Sequence, residues 1–195
     1  MIMQRIEQFL LSTAMNTAAW KWWLSGIIAF VIQQLTMGWL NTLYAATKYP
    51  VSFFEGQTTF NGELIKSHYA ALQQEGTFGD FIQVQLYDYL YMVTVFVAFA
   101  LVCIAIYRSL PNKPWLKSLA KWMLIITPLA AIFDALENAV SFVMLANPSD
   151  FANWLAYPYS AFAVIKFTLF TLFLVWALVG SVICLGSYVS QKVSR

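Results

Sequence analysis

Four stretches of this chain, 22–46, 81–107, 119–145 and 154–188, stay apolar for about 25 residues or more, where about 20 residues of helix suffice to cross the hydrocarbon of a bilayer. No other feature narrows the fold as much. A backbone in lipid finds no water to satisfy its N–H and C=O groups, so runs of this length are read as helices. The runs are continuous rather than alternating, which excludes a membrane β-barrel. Composition agrees: 61% of the residues are hydrophobic and 10% charged, against about 25% charged in a soluble domain. The sequence reads as an all-α integral membrane protein, a single four-transmembrane-helix bundle over 1–195 whose first partner is the lipid bilayer. A net charge of +2 gives no nucleic-acid footprint.

The segments between the spans are short. Residues 1–19 place Ile2, Ile6, Phe9 and Leu10 near one face, with Gln4, Arg5, Glu7 and Gln8 mostly off it. That pattern predicts an amphipathic helix lying in the interface. A signal peptide is the rival reading, but its apolar stretch would be short and broken by Ser12 and Thr13. Trp20, Trp22 and Trp23 around Lys21 mark a water boundary. Residues 49–80 form an external loop with weak helical periodicity through Leu64, Ile65, His68 and Leu72. The expectation is a short helix capping the bundle, with His68, the only histidine, exposed in it. Pro128 is expected to bend the third span, because it leaves the carbonyl of Leu124 without a helical donor.

Lysine and arginine fix an orientation. With both termini on one side, that side holds Arg5, Lys21, Arg108, Lys113, Lys117, Lys121, Lys192 and Arg195, and the other holds Lys48 and Lys66. The positive-inside rule then places both termini in the cytoplasm, with a bacterial inner membrane as the setting.

Polar residues inside the spans carry the functional reading. Asp134, Glu137 and Asn138 recur at i, i+3 and i+4, on one face of the third span. An Asp at the centre of a membrane helix costs about 2.5–3.5 kcal/mol to insert, so such residues face a bundle interior or a wet cavity. From the outer ends of their spans, Asp134 and Lys166 each lie about 16 Å deep, Glu137 about 12 Å and Asp88 about 10 Å. Gln34 and Asn41 on the first span, and Gln85 and Tyr91 on the second, fall in the same outward half. The cytoplasmic halves of spans two and four are almost purely apolar. Matched depth predicts a shared cavity, closed below and open above, with Asp88, Asp134, Glu137 and Lys166 in it. Asn41, Gln34, Gln85, Tyr91 and Asn138 would line it as hydrogen-bonding walls. Three carboxylates against one ammonium leave an excess of negative charge, so either one carboxyl holds a proton or a bound cation supplies charge.

The plain counter-reading is a buried Asp134–Lys166 pair that pins two helices and does nothing else. Cys103 and Cys184 lie in apolar runs without metal spacing and read as small core residues. No metalloprotease, nucleophile-elbow, phosphate-loop or haem motif occurs, so no cofactor or metal is assigned.

The first function this supports is binding, with translocation as an extension of it, of a small cationic or amphipathic ligand, a cation or a proton. Four spans are few for a carrier, so transport would call for a homodimer. An alternative is an intramembrane lipid-modifying enzyme with Asp134 and Glu137 as acid and base and Lys166 stabilising negative charge. In architecture alone, with its external first loop and intramembrane acids, the chain resembles four-span sterol-isomerase and sigma-2-receptor-type proteins. A third reading is an accessory subunit of a membrane complex.

Overall fold

The computed structural model describes residues 16–193, and among these the chain is helical with no strand. In order come α1 (Ala19–Ala46), α2 (Phe53–Gln57), α3 (Gly62–Glu75), α4 (Phe78–Ser109), α5 (Pro114–Ile126), α6 (Leu129–Leu145) and α7 (Ala156–Val193). A 3-10 turn at Asn153–Leu155 leads into α7. Four segments are long and apolar enough to cross a membrane: Ala19–Ala46, Phe78–Ser109, Pro114–Leu145 and Asn153–Val193. Apart from 16–19, the expected N-terminal interfacial helix lies outside the described residues, as do Arg5 and Arg195.

The distribution of side chains around these helices is inverted relative to a soluble bundle. α1 buries Gly26, Ala29, Gln33 and Leu40, while Leu24, Ile27, Val31 and Leu35 stand exposed. α7 turns Ala163, Lys166 and Gly180 inward and leaves Leu174, Leu178 and Val182 outside. In water, burial of the large apolar chains would drive packing the other way round. In lipid no such force acts between helices, and small residues that let backbones approach are favoured at the contacts. The approach is close here. A Cβ on Gly26 would stand 3.3 Å from Val102, and one on Gly180 would stand 2.7 Å from Cγ2 of Ile106.

α4 is the central helix. α1 packs along one side of it, while α6 and α7 pack on each other and on α4. The bundle core divides into two apolar clusters. One, towards the α4 C-terminus, gathers Val95, Phe99, Cys103 and Ile106 with Phe173 and Trp176, and the rings of Phe99 and Phe173 stack at 3.5 Å. The other gathers Ile65, Tyr69 and Leu72 of α3 with Phe81, Met144 and Tyr159. The polar residues of α4, α6 and α7 lie between them. Cys103 and Cys184 are both buried and free.

The third apolar run is interrupted once, at Thr127 and Pro128, which keep right-handed helical dihedrals, and Pro114–Leu145 remains one segment long enough to span. α5 ends at Ile126 and α6 begins at Leu129. Pro128 offers no N–H to the turn before it. One residue earlier, the Thr127 N–H and hydroxyl both donate to the Met123 carbonyl, at 3.1 and 2.7 Å. The chain then tightens, with Ala130 and Ala131 donating three residues back to Thr127 and Pro128.

The segment between α1 and α4 is folded onto the bundle. Ser52 and Glu55 form a capping box that starts α2. Asn61 caps α3, whose last turn closes on Gly76 in the left-handed region at φ 73°, a conformation that favours glycine. α3 buries Ile65, His68, Tyr69 and Leu72. His68 is therefore not exposed as its loop position suggested. It sits one turn from Ile65 and Leu72 on the same face, and its Nδ1 lies 3.2 Å from the Tyr49 hydroxyl. Burial pulls the imidazole below its usual range and pushes the Tyr49 phenol well above its own.

Candidate functional site

α6 places Asp134, Glu137, Asn138 and Ser141 on its inner face, all of them buried. The helical period delivers that face. α4 presents Gln85, Asp88 and Tyr91 to it, also at one helix face, and α7 contributes Lys166. These side chains meet. The Lys166 ammonium donates to Asp134 Oδ1 at 2.6 Å and to Glu137 Oε2. The Asn138 amide donates to Asp88 Oδ2 at 2.8 Å, and the Gln85 amide to Ser141 Oγ at 3.2 Å. Lys166 also lies over the Phe167 ring, 5.1 Å from its centroid.

The two α6 acids and Asp88 stand in different circumstances. Asp134 and Glu137 share one cation. Asp88, only 4% exposed, is held by a neutral amide and has no cation of its own among the described residues. The layer is also short of donors. Glu137 Oε1, Gln85 Oε1 and Asn138 Oδ1 are buried acceptors without a hydrogen-bond partner. A buried acceptor left unmatched costs about 1–3 kcal/mol, so the layer is held at a cost.

Beside this layer is a cavity of ≈ 230 Å³. Asp88, Asp134 and Lys166 form its charged side, with Tyr91 and Asn41 next to them. Met37, Leu40, Phe53, Phe167 and Phe170 form its apolar side, and Gln57 reaches it from α2. Glu137, Asn138 and Gln85 do not line it; they stand behind its wall.

Gln34 does not belong to the site. It is exposed, bonded only to its neighbour Gln33, and Gln33 is the buried residue. The Gln33 amide donates to the Tyr91 hydroxyl at 3.0 Å. Gln33 falls in step with Gly26 and Ala29, the small residues that face α4. That spacing of small residues was the available signal, and it outranks the stripe through Gln34, Gly38 and Asn41. Asn41 itself is exposed at the cavity rim. Phe53, Gln57, Phe167 and Phe170 had no signal in the sequence, since aromatics and loop amides are common in such segments. No cluster of three or more metal-ligating side chains occurs among the described residues.

No family model, curated protein or solved structure matches the chain.

Proposed function

We propose that this is an integral membrane protein, both termini cytoplasmic, of a bacterial inner membrane, and that its outward-half cavity binds a small cationic or amphipathic ligand. The observation that carries the reading is Asp88: a buried carboxylate at a cavity wall, bonded to an amide and unmatched by any cation among the described residues. A charge in a low-dielectric site is held at a cost unless a counter-charge reaches it. Lys166 does not pair with Asp88 directly: its ammonium donates to Asp134 and Glu137. A ligand amine would, and the aromatic side chains opposite offer it π-faces.

The arrangement gives less support to an enzyme. Asp134 and Glu137 as acid and base would need distinct environments, and one lysine bonds to both. Their part in the proposal is to hold Lys166 and, through it, the seam between α6 and α7. Lys166 in turn keeps α6 in register, so that Asn138 can hold Asp88.

Thermal unfolding of the purified protein tests the reading, with a series of alkylammonium ions as probes. An ion present at a hundred times its dissociation constant adds about 2.7 kcal/mol to the folded state, which raises the midpoint by several degrees. The expected result is such a rise for the wild type and none for Asp88→Asn. No rise with any ion in the wild type removes the proposal.

A further inference from the structure

The walls of the cavity say from which side it is reached. α1 supplies one wall with Met37 and Leu40, and α7 supplies the other with Phe167 and Phe170. These two helices barely touch, since α1 packs along α4 and α7 chiefly along α6. α4 closes the back of the gap with Asp88 and Tyr91. α2 lies across its outer end and packs on α7, with Phe54 against the Phe167 ring at 5.1 Å. The loop after α2 is fastened as well: the Phe60 N–H donates to Ser160 Oγ of α7 at 3.0 Å. The end nearest water is thus roofed. What stays open is the slit between α1 and α7, and its rims are Met37, 40% exposed, the half-buried Phe167 and Phe170, and the exposed Asn41.

We infer that the ligand is an alkyl-chain amine dissolved in the outer leaflet, which enters sideways between α1 and α7 and sets its ammonium head on Asp88. This rests on the reading that Asp88 binds a cation, and it adds the class of ligand and its route. Size supports it. At ≈ 230 Å³ the cavity is below the range of about 300–1,000 Å³ that encloses a drug-sized molecule. It holds a head group and the first carbons of a chain, and the rest of the chain remains in lipid through the slit. Gln57 supplies an independent pointer. Its side chain lines the cavity, is only 4% exposed, and makes no hydrogen bond with any described residue. Its amide opens onto the cavity space, where a head group can donate to the carbonyl.

The test uses the full-length protein in zwitterionic nanodiscs and a dodecylammonium probe with a photoreactive group in mid-chain. Labelled residues are mapped by mass spectrometry. Saturable labelling of α1 and α7 around Met37 and Phe170 is expected. Excess dodecylammonium displaces it, whereas dodecanol, with the same chain and no charge, does not. Asp88→Asn lowers it by about tenfold or more, the worth of one hydrogen bond to a charged group. The dodecanol comparison needs no variant, so it decides the charge question even if Asp88→Asn fails to fold. Saturable, amine-displaced labelling confined to Phe60 and Leu64 of the outer cap overturns the sideways route and leaves cation binding standing. So does displacement by butylammonium as effective as that by dodecylammonium. If neither amine displaces the probe, the inference and the binding reading fall together.

Discussion

Lys166 is the residue on which the polar layer is balanced. It bonds to Asp134 and Glu137, and all three are at least nine-tenths buried. Removing one member of a buried charge cluster leaves the others uncompensated, at about 3–5 kcal/mol, whereas replacing the whole set by neutral groups is often harmless. Lys166→Met is therefore expected to lower the unfolding midpoint steeply. The triple change Lys166→Met, Asp134→Asn, Glu137→Gln is expected to recover most of the loss. Tryptophan fluorescence during thermal melts in micelles reads both. A triple variant no more stable than the single one would mean that the cluster does more than balance charge. His68 allows a second residue-scale test. Its folded-state affinity for protons is lowered by burial, so below about pH 6.5, where an unfolded imidazole titrates, the unfolded chain binds the extra proton. Stability should then fall with decreasing pH by up to about 1.4 kcal/mol per unit, and be insensitive to this group above pH 7. The difference in stability between wild type and His68→Gln, followed from pH 5 to 8, isolates that contribution. The sequence alone pointed to His68 as exposed because the polar residues around it, Lys66, Ser67, Gln73 and Gln74, suggest a solvated loop. The face formed with Ile65 and Leu72 was equally written there, and it is the face that packs.

At the scale of the element, what hydropathy determines was legible and what neighbours determine was not. Hydropathy marks where helices run, since each must satisfy its own backbone. It cannot mark which side of α1 meets α4: Gln33 and Gln34 are adjacent amides about 100° apart on the helix, and only the seat of Gly26 against Val102 selects the first. Pro128 was legible as a disturbance. There α5 stops at Ile126 and α6 starts at Leu129, and the Thr127 hydroxyl lies 3.4 Å from Cys103 Sγ. The glycines give a paired prediction. A Cβ at Gly180 meets Cγ2 of Ile106 at 2.7 Å, an atom fixed to the branch point of its own side chain, so α7 must lift from α4. Gly180→Ala is expected to destabilise by about 1–3 kcal/mol, as overpacking does. Gly38, with nothing within 4 Å of an added Cβ, lies in a helix interior where alanine is better by about 0.8–1.0 kcal/mol. Gly38→Ala is expected to be neutral or mildly stabilising. Melts of the two variants under one detergent condition check the contrast, and equal losses would contradict the closeness of α7 to α4.

For the molecule as a whole, the polarity of the bundle ends decides what the cavity faces. Lys21, Arg108, Lys113, Lys117 and Lys192 sit at the end where α1 and α5 begin and where α4 and α7 finish. The Trp23 indole, bonded to Ser109 at 2.9 Å, ties the start of α1 to the end of α4. The opposite end carries Glu55, Glu63, Glu75, Asp80 and Asp150 with only Lys48 and Lys66, and Lys48 is paired with Glu75 at 2.7 Å. The cavity lies nearer the acidic end, roofed by α2. If positive charge marks the cytoplasm, the slit between α1 and α7 opens to the outer leaflet; with the reverse orientation it would open to the inner one and draw on a different pool of amphiphiles. Both native cysteines are buried, so single added thiols can report the orientation in intact cells. Gln74→Cys, on the exposed side of α3, is expected to react with a membrane-impermeant maleimide added outside. Asn112→Cys, in the basic turn between α4 and α5, is expected to react only after the membrane is opened. The opposite pattern would keep the cavity and its chemistry but move the source of its ligand to the cytoplasmic leaflet. That would replace the outer-leaflet amine with one made or delivered inside the cell.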